Sequence, residues 1–130
     1  MDEFEEAAAR HLGIGRSDLR ALNLLEHGPT TPAELAERLG LRRASVTALV
    51  DRLVTADLVT RKPVPGNRRS VLVELTPPTW RRFAAVYRPV ADGVHAASRS
   101  MTDQERAAAV DALTRISEVF ARRGRELADG

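Results

Sequence analysis

Residues 31–76 read TTPAELAERLG, then LRRASVTALVDRLVTADLVTR, then KPVPGNRRSVLVELT. In the first piece Thr31 suits a helix N-cap, Pro32 suits the first helical position, and Glu34 is placed to close a capping box. Leu35, Ala36 and Leu39 share one helical face, and Gly40 offers the left-handed conformation that stops a helix. A short turn through Leu41 leads into the second piece, where Val46, Leu49, Val50, Leu53 and Val54 recur at helical spacing. The opposite face of that helix carries Arg42, Arg43, Ser45, Thr47, Ala48 and Arg52. The third piece has the pattern of a β-hairpin. Its strands are expected over 58–61 and 71–76, joined through the turn residues Pro63, Pro65, Gly66 and Asn67 and then Arg68 and Arg69.

A helix, a tight turn, a second helix with a short-chained cationic outer face, and an Arg-tipped hairpin together suit duplex DNA. Arginine grips guanine or phosphate, Ser and Thr bond to either, and Ala lets a helix approach closely. Two guanidiniums at a hairpin tip reach a phosphate backbone or a narrow minor groove. The DNA-binding candidates are therefore Arg42, Arg43, Ser45, Thr47, Ala48, Arg52, Arg61, Arg68 and Arg69. Lys62 stands beside Arg61 as a backbone clamp, though charge on a strand edge also serves solubility. The expected fold class is mainly α with a small β-hairpin wing, a winged helix-turn-helix with N- and C-terminal dimerisation helices.

The charge distribution points the same way. The 130-residue chain carries a net charge of +2. Residues 1–37 sum to −5, residues 38–88 to +8 and residues 89–130 to −1. The positive charge is thus concentrated on the helix pair and hairpin, which is the electrostatic footprint of a nucleic-acid reader. With no cysteine, disulfides and thiolate chemistry are excluded in this polypeptide. The acidic start, MDEFEE, is unlike a signal peptide, and no apolar run approaches the ~20 residues of a membrane span. A cytoplasmic protein with no membrane partner is the expectation.

Working outward, residues 1–13 have Phe4, Ala8 and Leu12 spaced by four, a short amphipathic helix. Ser17 is placed to cap the next helix, whose core side is Leu19, Leu22, Leu24 and Leu25. After Pro77 and Pro78 a helix over 79–101 carries Trp80, Phe83, Tyr87, Val90, Val94, Ala97 and Met101 at alternating spacings of three and four. Pro89 inside it predicts a kink. Thr102 and Glu105 form a second capping box, opening a helix over 103–128 with Val110, Leu113, Ile116, Phe120 and Leu127 on one face and Gly124 as an interruption. This is one domain over 1–130, with a DNA-binding lobe at 17–76 and helices 1–13 and 79–128 holding more apolar surface than the lobe needs. They are expected to pack against a second copy, placing two recognition helices on successive major grooves.

SDLRALNLLEHGPTTPAELAERLG, ASVTALVDRLVTADLVTR and NRRSVLVELTP resemble the MarR family of transcriptional regulators, over nearly the whole chain and most strongly over 17–77. The resemblance implies a homodimeric regulator, a repressor in the first instance, on a pseudo-palindromic operator. It implies that the helix near Arg42 reads the major groove, that Arg69 enters the minor groove with Arg68 on or near the backbone, and that a small aromatic anion releases the DNA. Four positions depart from the family pattern: Asn67 replaces an Asp that orients the wing arginine, Asp57 replaces a Gly after the recognition helix, Thr79 replaces a Gly after the second strand, and Arg42 replaces a Ser or Thr cap.

Other readings compete. Trp80, Phe83 and Tyr87 with Leu22 and His11 are candidate walls of an effector pocket, and aromatic stripes at helical spacing are more often core or dimer packing. His11, His27 and His95 are scattered with no carboxylate at ligand spacing, so no metal is expected. No phosphate loop, nucleophile or paired-carboxylate motif is present, so neither enzyme activity nor a cofactor is expected. The alternative function is a winged-helix protein-interaction module with weak or no DNA binding.

Overall fold

The computed structural model describes residues 2–128. Met1, Asp129 and Gly130, which the expected domain and first helix include, lie outside them. The chain forms α1 (Asp2–Leu12), α2 (Arg16–Leu25), α3 (Pro32–Leu39), α4 (Arg43–Thr55), β1 (Val59–Val64), β2 (Asn67–Leu75), α5 (Pro77–Ser98) and α6 (Asp103–Ala128). Its contacts cluster into two compact units, Met1–Tyr87 and Arg88–Gly130, with α5 running from one into the other.

The first unit is built around the helix pair. Thr31 caps α3, accepting the Glu34 N–H at 3.2 Å, and Gly40 closes the helix at φ 66°. Glu34 does not return the bond to Thr31 as a full capping box would. Its carboxylate takes the hydroxyl of buried Thr30 at 2.6 Å instead. Thr30 itself bridges to Val73, exchanging backbone bonds of 3.1 and 2.8 Å, so the start of α3 is stitched to the base of the hairpin. Leu35, Leu39, Val46, Leu49, Val50 and Leu53 are buried between α3 and α4 as their spacing requires. Leu19, Leu22 and Leu25 of α2, Ala8 and Ala9 of α1, Val59, Val73 and Phe83 complete the same core.

Ser17 is not the cap of α2. The helix starts two residues earlier, at Arg16, with Gly15 extended at the N-cap and no side-chain bond there. Gly13 at φ 72° turns the chain so sharply that Arg16 is already helical, leaving Asp18 in the first turn where it meets the helix dipole.

The hairpin is longer than expected, with strands at Val59–Val64 and Asn67–Leu75 joined by Pro65-Gly66. Gly66 has φ 78°, and Pro followed by a left-handed Gly is the signature of a type II turn. Pro63 is accommodated because β1 has no strand partner on its outer edge among the described residues. The register slips at the tip. Pro63 pairs with Val71 but Val64 pairs with Asn67, so residues 68–70 bulge out with no cross-strand partner.

Helix α5 begins at Pro77, earlier than expected, because Thr76 caps it. The Thr76 hydroxyl accepts the Thr79 N–H at 3.4 Å and lies 2.8 Å from the Thr79 hydroxyl. The helix continues through Pro89 and ends at Ser98. In the second unit the Thr102–Glu105 capping box is complete in both directions, at 2.8 and 3.1 Å. Gly124 does not interrupt α6, which is continuous to Ala128. One helical glycine costs about 1 kcal/mol relative to alanine, too little to end so long a helix. Val110, Leu113, Ile116, Phe120 and Leu127 form the expected stripe on α6, and in the single chain all five face solvent, Phe120 at 74% exposure. No described helix is long and apolar enough to cross a membrane.

Candidate nucleic-acid interface

Burial of Val46, Leu49, Val50 and Leu53 fixes which side of α4 faces out. Arg42, Arg43, Ser45, Thr47, Ala48 and Arg52 are all exposed. Arg42 occupies the N-cap without a side-chain bond, and no acid lies in the first turn. Two cations therefore stand at the positive end of a helix whose leading N–H groups are free. This arrangement is unfavourable for an isolated helix and favourable for an incoming anion. The Thr47 hydroxyl donates to the Arg43 carbonyl at 3.0 Å. Thr47 therefore offers outward a methyl group and an oxygen acceptor, which suits a thymine methyl or a base amino group.

The wing completes the surface. Thr31, Pro32 and Ala33 at the start of α3, Arg43 and Thr47 of α4, and Arg69, Ser70 and Val71 of β2 line one open cleft of about 480 Å³. Three elements distant in sequence thus converge on one basic recess. Asn67 shapes the wing side: its side-chain oxygen accepts the Arg69 N–H at 3.1 Å and its amide donates to Ser70 Oγ at 3.0 Å.

The basic residues fall into two groups. Arg52 donates to Asp18 at 2.7 Å, Arg61 pairs with Asp51, and Lys62 pairs with Glu74. Arg42, Arg43, Arg68 and Arg69 make no ion pair among the described residues. Sequence reasoning did not separate these groups, since the partners Asp18, Asp51 and Glu74 are assigned only by tertiary geometry.

The candidate effector residues are placed differently. Leu22 and Phe83 are buried at 1% exposure. Phe83 stacks on Tyr87 at 4.3 Å and 17°, and Phe4 meets Tyr87 edge-on at 5.3 Å. Trp80 is half exposed and His11 is exposed. Phe4 belongs to this aromatic cluster, which sequence spacing alone did not show. The Tyr87 hydroxyl is enclosed and has no hydrogen bond of normal geometry. Burial pushes its pKa up, the nearby Asn23 side chain opposes the shift, and Glu5 and Glu26 add to it. Among the described residues no cluster of three His, Asp or Glu is arranged to hold a metal ion.

A helix-turn-helix with an adjoining wing and a shared basic cleft defines a winged-helix DNA-binding regulator. The MarR family profile matches residues 12–70. The chain is 37% identical over 103 residues to the uncharacterized HTH-type transcriptional regulator YcgE of Bacillus subtilis, covering 78% of this chain and 67% of that one. It belongs to the MarR family of helix-turn-helix transcriptional regulators. The crystal structure of RV1404 from Mycobacterium tuberculosis is similar at 31% identity and TM-score 0.67, covering 91% of this chain and 82% of that one. A mutant of MarR from E. coli complexed with operator DNA is similar at 26% identity and TM-score 0.62, covering 88% and 84%.

Proposed function

We propose that the chain acts as a homodimer on a pseudo-palindromic operator and represses by occupying it. The observation that carries this reading is the convergence of Arg43 and Thr47 of α4 with Arg69 of the wing on one cleft. The leading turn of α4 enters the major groove, with Arg42, Arg43, Ser45, Thr47 and Ala48 toward base edges and phosphates. Arg68 and Arg69 follow the backbone into the adjacent minor groove. The exposed stripe of α6 supplies the dimer contact, since Val110, Leu113, Ile116 and Phe120 present a continuous apolar face that water would otherwise cover. The operator complex of the similar MarR structure supports the DNA reading. No step of this function needs catalysis.

Selection of bound duplexes from a random pool tests the proposal. The expected product is an inverted repeat with half-sites about 10 base pairs apart, centre to centre. Failure to enrich any sequence at moderate salt would favour the protein-interaction reading. A further element of the reading is release by a small aromatic ligand bound beside Phe83 and Tyr87, whose rings stack at 4.3 Å. A screen of aromatic acids by thermal shift, repeated on Tyr87→Phe, tests that element.

A further inference from the structure

Two adjacent residues toward the C-terminal end of α4, Asp51 and Arg52, are opposite in sign and pair with different elements. Asp51 pairs with Arg61 of β1, on the wing. Arg52 pairs with Asp18 in the first turn of α2 at 2.7 Å. Asp18 is only 15% exposed and lies at the positive end of its own helix, so it is the more firmly held anion of the two pairs. Neither Asp51 nor Asp18 belongs to the cleft-lining set. A roll of α4 over the core would move Arg43 and Thr47 relative to Arg69. Two ion pairs of opposite polarity, one to each flanking element, oppose that motion.

We infer that Asp51 and Asp18 are positioning residues that clamp the recognition helix between wing and α2. Arg61 and Arg52 then serve the clamp and do not supply phosphate-neutralising charge. The inference rests on the DNA-binding reading and divides its basic residues. A guanidinium already compensated by a carboxylate releases little counterion on meeting a phosphate, so Arg52 and Arg61 contribute little to the salt dependence of binding. The uncompensated set is Arg42, Arg43, Arg68 and Arg69.

The test uses a duplex enriched from a random pool and a scrambled control, with affinity measured across a salt series. Arg61→Ala lowers the ratio of selected to scrambled affinity about fivefold and leaves the slope of log affinity against log salt unchanged. Asp51→Asn also lowers the ratio, and it steepens the slope by about 1.8 per dimer, because it frees one guanidinium per protomer at about 0.9 each. A slope reduced by Arg61→Ala, with Asp51→Asn silent, would make Arg61 an ordinary phosphate contact and overturn the clamp. A second arm needs no DNA. In denaturant unfolding, Asp51→Asn, Arg61→Ala and their combination form a cycle, and the clamp predicts a coupling of about twofold to fivefold in the unfolding equilibrium constant. Strict additivity would contradict it. If no duplex is enriched, the DNA reading fails while this arm still decides the clamp.

Discussion

The side-chain oxygen of Asn67 accepts the backbone N–H of Arg69 at 3.1 Å, which fixes the wing bulge at the residue whose guanidinium lines the shared cleft. A carboxylate at this position would accept the same bond and could also pair with the guanidinium. Asn67 keeps the backbone part and leaves the Arg69 charge uncompensated. Asn67→Ala is therefore expected to weaken DNA binding roughly threefold to tenfold, the effect of losing one or two local hydrogen bonds. Asn67→Asp retains the bulge but places a negative charge beside the phosphates, so its loss of affinity should be greatest at low salt. Binding isotherms for the two variants across salt concentrations distinguish the effects.

Asp57 sits at φ 58°, just past the Ala56 C-cap of α4, and its carbonyl accepts the Thr76 hydroxyl at 3.0 Å. A non-glycine residue in this conformation is strained, and the bond it makes uses only the backbone. Asp57→Gly should raise stability by about 0.5–1 kcal/mol, less whatever entropy glycine adds to the unfolded chain. Thermal unfolding of the variant should show a midpoint a few degrees higher, with DNA binding unaltered.

Tyr87 is the one tyrosine in the chain, so tyrosinate absorbance reports it alone. Burial raises its pKa from 10.0. A raised folded pKa means the neutral phenol is favoured in the native state. Its stabilising effect is complete below the unfolded pKa and is lost as pH rises through the folded value. The native protein should therefore titrate above pH 10 and lose stability over that range. Tyr87→Phe should remove this dependence with little change in stability at neutral pH, because the hydroxyl makes no hydrogen bond of normal geometry. A spectroscopic titration and pH-dependent unfolding check both outcomes.

Phe120 on α6 is 74% exposed and lies in the apolar stripe with Leu113 and Ile116. If that stripe joins two copies, Phe120→Asp buries an unpaired charge in the interface, which is strongly unfavourable. Light scattering on the variant should give the mass of a single chain where the parent gives twice that, and DNA affinity should fall by orders of magnitude as the second half-site contact is lost.

The parts of the fold legible from sequence were those set by local chemistry. The apolar spacing in α3 and α4, the Thr31 cap, the left-handed Gly40 and the Thr102–Glu105 box all act within a turn or two of chain. The helix pair, wing and outward face of α4 follow from them. The features that local sequence does not show depend on competition between local signals or on distant partners. Ser17 yielded its cap to Gly15 because the turn at Gly13 had already oriented the chain. Glu34 left Thr31 for Thr30 because the Thr30–Val73 bridge brings that hydroxyl within reach. Gly124 was too weak a breaker inside a long helix. In the site, exposure of Arg42, Arg43, Arg68 and Arg69 could be read from position, whereas the pairing of Arg52 and Arg61 required knowing where Asp18 and Asp51 stand.

The central claim is that α4 and the wing present one cationic surface to one duplex. The salt dependence of binding to a selected duplex, measured for Arg43→Ala, Arg69→Ala and the double variant, tests it most directly. Each single change should lower the slope by about 1.8 per dimer and the double change by about twice that, with folding unaffected. Slopes equal to the parent's in all three variants would contradict the account.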